Sequence, residues 1–168
     1  LSFSEEQNDM KIPKFAHPFL KVAHNVYSIR ARLGRRAGLG VRIMLIKDGQ
    51  VMLVKHTYQV HWYMPGGGVK HRETPMKAAI REAYEEVGAQ VNGEPELLGI
   101  YSNFREGKND HTLLFVTSDF TMGKATDTWE IAERGFFPIH DLPADVSPGT
   151  NRRIQEYLNG ERAVASMW

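Results

Sequence analysis

The stretch from Pro65 to Ala89, PGGGVKHRETPMKAAIREAYEEVGA, constrains this chain more than any other. Gly66, Gly67 and Gly68 make a turn whose backbone can approach a partner closely, and a helix-forming segment follows it. In that segment Met76, Ala79, Ile80, Ala83 and Val87 recur at i, i+3, i+4, i+7 and i+11, the apolar stripe of an amphipathic helix. Thr74 is placed to cap the helix, Pro75 suits its first position and Gly88 its end. Lys77 stands where a capping box would carry an acid, so the start is capped by Thr74 alone.

The acids of this helix are arranged against its stability. At about 100° per residue, Glu85 and Glu86 lie roughly −60° and +40° from Glu82. The three share one stripe in the C-terminal half, where the macrodipole favours cations. Like charges at i, i+4 add a penalty of roughly 0.2–0.5 kcal/mol. With the apolar stripe facing the core, all three carboxylates are expected to point outward. A bound divalent cation would offset both penalties, and oxygen ligands without sulfur suit Mg²⁺ or Mn²⁺. Taken alone, an E-x-x-E-E run is also what an ordinary solvated helix face presents.

The full spacing is more specific. Gly67-x5-Glu73-x7-Arg81-Glu82-Ala83-x-Glu85-Glu86-x-Gly88-Ala89 resembles the Nudix box, the signature of the Nudix hydrolases. With each residue type at roughly 7% frequency, chance agreement of the fixed positions at one window is on the order of 10⁻⁸. Arg72 departs from the Gly often found before the first acid. The flanks extend the resemblance: VMLVK from Val51 and WYMPGG from Trp62 precede the box, and EIAERGFFP from Glu130, continuing to Asp141-Leu-Pro, resembles the family's closing strand and turn.

The resemblance implies an α/β fold of the Nudix αβα sandwich type with a mixed sheet, and metal-dependent cleavage of a phosphoanhydride. It implies Glu82 as the central carboxylate, a metal ligand or the base that takes the proton of water. Glu85, Glu86 and the Gly66 carbonyl are implied as further ligands. Arg81 stands at i, i+4 from Glu85, where it can orient the acids or form a plain surface ion pair. Glu73, just before the helix, is placed to hold Arg81 or the loop. Nudix enzymes often recruit one more acid from a loop outside the box; Glu130 comes first, then Glu133 and Asp127.

Composition agrees with one domain. The 168 residues are enough for a core without disulfides, and there is no cysteine for a disulfide, a thiolate metal site or a nucleophile. That absence also argues against the isopentenyl-diphosphate isomerases that share the fold, and it fits a reducing, cytoplasmic setting. No apolar run approaches the ~18 residues that span a bilayer, and a net charge of +1 offers no general attraction to nucleic acid or membrane. The chain divides into an arm (1–17), an N-terminal helix (18–36), the Nudix domain (37–160) and a C-terminal tail (161–168). The N-terminal segment carries Arg30, Arg32, Arg35 and Arg36. It reads as a helix on the domain edge with snorkelling arginines; the alternatives are a basic membrane or RNA helix and a dimer contact.

Strands are expected over Val41 to Ile46 and Val51 to Val54, joined by Asp48-Gly49, and then at His61–Met64, Leu97–Phe104, Thr112–Phe120 and Gly135–Pro138. A turn at His140–Leu142 and a helix over Pro148–Leu158 follow. Arg105, Phe104 and Tyr58, with His56, His111 and Trp129, are candidates to line a base or sugar pocket, although strand aromatics more often fill cores. Signatures of the coenzyme A, NADH, ADP-ribose and dinucleoside-polyphosphate subfamilies are not evident. The expected substrate is a nucleoside diphosphate linked to some other moiety; the alternatives are a nucleotide-binding sensor without turnover and an RNA-cap processing role.

Overall fold

The computed structural model describes residues 37–104, 109–126 and 129–168. The arm, the N-terminal helix, Arg105 and Asp127 lie outside the described residues. Nine strands and two helices follow in order among those described. They are β1 (Gly38–Lys47), β2 (Gln50–His56), β3 (Trp62–Tyr63), α1 (Pro75–Val87), β4 (Ala89–Val91) and β5 (Glu96–Asn103), then β6 (Asp110–Thr117), β7 (Phe120–Met122), β8 (Ile131–Pro138), α2 (Pro148–Leu158) and β9 (Val164–Met167). The main sheet runs β3-β2-β1-β6-β5-β9, with β8 paired to the far side of β2. β1 is parallel to β6 and β5 to β9, and the other pairs are antiparallel. β4 and β7 form a separate two-stranded ribbon.

Strand alternation divides the core into two layers. Val41, Ile43 and Leu45 of β1, with Met52 and Val54 of β2, pack under α1 against Ala79, Ala83 and Val87. Met44, Val51, Leu53, Leu98, Tyr101 and Leu114 face the other way and meet Ile154 of α2. This is the expected αβα sandwich with a mixed sheet.

One local departure places the glycine turn. β1 and β2 pair only at the base of their hairpin, at Ile46↔Val51 and Lys47↔Gln50. Beyond it they splay, and the chain from β3 onward fills the gap. Tyr63 pairs with Val54, and Trp62 with Lys55. On the other side Ile43 donates its amide to Pro65 O and Val41 to Gly67 O, both at 2.9 Å, and Val69 donates to Leu39 O at 3.0 Å. The turn is thereby held in extended register against β1, beneath α1.

Several expectations change. The strand read as Thr112–Phe120 stops at Thr117, where the Thr117 hydroxyl accepts the Asp119 amide at 3.1 Å and turns the chain. Phe120 then opens β7, opposite Val91 of β4. Part of the segment read as a tail is β9, aligned with Gly99 to Ser102 of β5. Ile80, expected in the core stripe, is only partly buried, and Ala78 is buried in its place.

Candidate active site

The helix ends form as the sequence suggests. Thr74 accepts the Lys77 amide at 3.3 Å, and Gly88 adopts φ 74° with its N–H turned back to Ala83 O and Tyr84 O. Gly88 also leaves no room for a side chain, since a Cβ would collide with the Gly123 carbonyl. The last turn of α1 contains no basic residue. That cation comes from β8, where Arg134 Nη1 donates to Glu86 O at 2.7 Å.

Arg81 is the hub of the acid cluster. Its Nε and Nη2 grip the two oxygens of Glu73 at 2.7 and 2.9 Å. Its Nη1 donates to Glu82 Oε1 at 2.7 Å and Glu85 Oε2 at 2.9 Å, and Nη2 also reaches Gly68 O at 3.1 Å. The side chain is 19% exposed, so these bonds are only partly screened by water. Arg81 draws the Glu73 carboxyl down to a pKa of about 2, helped by the Lys70 amide at 2.9 Å. Glu82 moves the other way: burial raises its pKa, and the Arg81 guanidinium limits the rise. Lys70 Nζ stands 3.7 Å from Glu85 Oε1 at the exposed rim.

The carboxylates do not all point outward. Glu86 is 3% exposed and accepts the buried amide of Gly66 at 2.9 Å. Around the helix axis Glu86 falls about 20° from Ala79, inside the buried stripe rather than beside it. Glu82 is also largely covered and Glu85 is the most open, with side-chain exposures of 13% and 36%. Gly67 is the floor under Glu82, and a Cβ there would lie 2.5 Å from Glu82 Oε1. Gly66 takes φ 148°, and a Cβ would strike the Val41 carbonyl. Its own carbonyl, expected as a metal ligand, accepts Arg42 Nη1 at 3.0 Å.

The donor chemistry at the turn, carboxylate and carbonyl oxygens without sulfur, fits a hard divalent cation. Among the described residues no three or more Asp, Glu or His side chains stand in ligating geometry. The reason is visible: one guanidinium nitrogen lies between Glu82 and Glu85, and Glu86 is turned onto Gly66. Arg81 Nη1 takes one oxygen each of Glu82 and Glu85, so a cation drawing on both would use their second oxygens, with Arg81 and its Glu73 grip in place.

Other sequence candidates are distributed more widely. Glu130 sits exposed just before β8, its carbonyl accepting the Thr57 amide at 2.9 Å. Glu133 pairs in register with Lys55, which turns toward Asp145 and Trp62 on the α2 side of the sheet, away from α1. Tyr58 stacks on His56 with centroids 5.3 Å apart, and His56 meets Tyr63 at 6.2 Å. Phe104 is exposed and meets the His111 ring edge-on at 5.9 Å. Tyr58 follows β2 and Phe104 follows β5, and the β3 segment, β1 and β6 separate their strands by about 19 Å at usual strand spacing.

Arg42 and Arg134 were not expected here. Arg134 carried no signal in the sequence, because it precedes the strand expected at Gly135–Pro138 and its place opposite Val54 is set by the β2–β8 register. Arg42 carried none, because an Arg between inward-facing Val41 and Ile43 reads as a solvent residue.

Comparison with known proteins follows the same lines. A NUDIX domain family model matches residues 35–157. The chain is similar to a probable DHNTP pyrophosphohydrolase of Lactococcus lactis subsp. cremoris, 25% identical over 136 residues, covering 79% of this chain and 80% of that protein. It is also 34% identical over 102 residues to diphosphoinositol polyphosphate phosphohydrolase 3-alpha of Mus musculus, covering 56% of this chain and 58% of the relative. The match therefore spans little more than half the length of that second relative. A NUDIX hydrolase structure from Nitrosomonas europaea superposes with a TM-score of 0.66 at 22% identity, covering 76% of this chain and 93% of that one, a likeness of fold.

Proposed function

The chain belongs to the NUDIX family and is a hydrolase of phosphoanhydride bonds, and on that premise we propose that it is a divalent-metal-dependent pyrophosphohydrolase. Its proposed substrate is a nucleoside diphosphate linked to another moiety, and Glu82, Glu85 and Glu86 form its carboxylate set. One observation carries this reading: Arg81 gathers Glu73, Glu82 and Glu85 against the Gly67–Gly68 turn while Glu86 grips Gly66, so turn and helix form a single unit.

Mg²⁺ or Mn²⁺, when bound, would polarise phosphoryl oxygens and lower the pKa of a bound water. Glu82, Glu85, Glu86 and the Gly66 carbonyl are the residues proposed to hold it. The rest is the work of the chain. Glu82 has the pKa displacement that suits a proton acceptor, because burial makes its carboxylate more basic than an exposed one. Glu73 is kept ionised by Arg81 and serves to hold that guanidinium, not to exchange protons. Glu130 remains the proposed loop acid, at the exposed entry to β8.

The named relatives share a phosphohydrolase activity and not an organic group, which supports the reading at the phosphoanhydride they have in common. We place the enzyme in the cytoplasm with a small-molecule substrate and a possible homodimer. Among the described residues no helix is long and apolar enough to cross a membrane. The test is product release from nucleoside triphosphates, nucleotide sugars, ADP-ribose and dinucleoside polyphosphates with Mg²⁺ or Mn²⁺. Glu82→Gln is expected to lower kcat by about 10²–10⁴; near-wild-type turnover would remove Glu82 from proton transfer.

A further inference from the structure

We propose that Arg42 is a positioning residue that sets the Gly66 peptide for the site; this rests on the proposed function above, in which Gly66 and Glu86 contribute to a divalent-cation site. Arg42 lies in β1 between Val41 and Ile43, whose side chains enter the core under α1, so it leaves the strand on the opposite face. Its guanidinium then turns back under the neighbouring segment. Pro65 and Gly67 spend their carbonyls on β1, and the alternate carbonyls of Met64 and Gly66 therefore point away from it. Arg42 Nη1 collects both, at 2.8 and 3.0 Å. The group also lies over the Tyr63 ring, 5.8 Å from its centroid.

The consequence falls on the successive peptide units that meet at Gly66. Gly66 is held at φ 148°, with its N–H given to the Glu86 carboxylate and its carbonyl to Arg42. The Pro65–Gly66 unit is tied at Pro65 O by Ile43 and at the Gly66 N–H by Glu86, and Arg42 ties the units on either side of it through Met64 O and Gly66 O, so Arg42 controls where the Gly66 oxygen points and limits how far the Gly66 N–H can swing from Glu86. A carbonyl has two lone pairs, so the Arg42 bond leaves one for a further partner. Outer groups that orient a ligand in this way are commonly worth about 10- to 100-fold in metal affinity.

Both bonds issue from a single nitrogen, which makes the test discriminating. An ammonium can reproduce two donors from one atom, whereas a thioether cannot. Mn²⁺ affinity by EPR and amide exchange at Gly66 by NMR are measured on wild type, R42K and R42M. R42M is expected to weaken Mn²⁺ about tenfold and to speed Gly66 exchange, with R42K staying within about threefold of wild type. Wild-type affinity and exchange in R42M would overturn the assignment. Equal losses in both variants would also overturn it, because they would report packing rather than donors. If R42M does not fold, R42K carries the test: retained affinity supports the role and a tenfold loss removes it. Should the wild type bind Mn²⁺ and protect Gly66 in an Arg42-dependent way yet hydrolyse no pyrophosphate compound, this assignment stands and the proposed function fails.

Discussion

The buried carboxylate of Glu86 accepts the amide of Gly66 at 2.9 Å, and this bond joins the helix to the turn from which the site is built. It also explains how an acid can occupy the apolar face of α1: the donor is buried with it, and each would be costly without the other. Glu86→Leu removes the acceptor and strands the Gly66 N–H, with an expected loss of about 1–3 kcal/mol in chemical denaturation. Glu86→Gln keeps an acceptor oxygen and should lose less than Glu86→Leu. Equal stability of the two variants would mean that the bond does not hold the turn.

Gly67→Ala tests the floor under Glu82. The added Cβ would stand 2.5 Å from Glu82 Oε1, so the carboxylate must shift, while Gly67 itself does not have the positive φ that excludes alanine. A displacement near 1 Å is expected to reduce kcat by about 10²-fold. The change in Tm should stay within about 4 °C, the equivalent of about 1 kcal/mol for a domain of this size. A large Tm loss with kcat preserved would contradict a catalytic role for this contact.

Glu73 and Glu82 give opposite pH signatures. Glu73 lies near 2 when folded against an ordinary 4.5, so its contribution is complete above 4.5 and is lost as pH falls toward 2. Glu82 is raised, so the folded state binds its proton more tightly than the unfolded chain. Its ionisation therefore weakens the fold as pH rises from 4.5 through the folded value, and acidification relieves that cost. Arg81→Met should remove the Glu73 component from a stability-versus-pH curve, and Glu82→Gln should remove the opposing one. Wild-type curves in both variants would contradict this division.

Far from the turn, Arg153 fastens the C-terminal strand. It is 1% exposed, pairs with Glu156 at 2.7 Å, donates to Met167 O at 3.1 Å and lies 4.2 Å from the centroid of the Tyr101 ring. Arg153→Met should cost about 3–5 kcal/mol, as breaking one side of a buried pair does. Amide exchange should rise first over β9, with kcat unchanged below the transition. An activity loss at full stability would tie β9 to the site, which the geometry does not.

The parts of this structure that were legible in the sequence are those governed by local chemistry. Thr74, Pro75 and Gly88 bound α1 because caps and left-handed turns act within a few residues, and the same holds for α2, where Ser147 caps Thr150. The direction of Glu86 was legible in principle from its angle to Ala79, but grouping it with Glu82 and Glu85 as one acidic stripe obscured it. The bond from Arg81 to Glu82 could not be read, since adjacent helical residues do not normally face each other. Arg42 and Arg134 reach backbone carbonyls 24 and 48 residues away, and a carbonyl carries no residue-type signal. β4, β7 and β9 have three or four residues each, too short for alternation to register.

One titration shows whether Arg81, the glycine turn and the three helix acids form one metal-dependent hydrolytic unit. Product release from the nucleotide panel is followed against Mg²⁺ or Mn²⁺ for wild type and Glu82→Gln. Turnover is expected to require the cation and to fall by about 10²–10⁴ in the variant. Turnover that persists in chelator, or that survives in Glu82→Gln, would contradict this expectation.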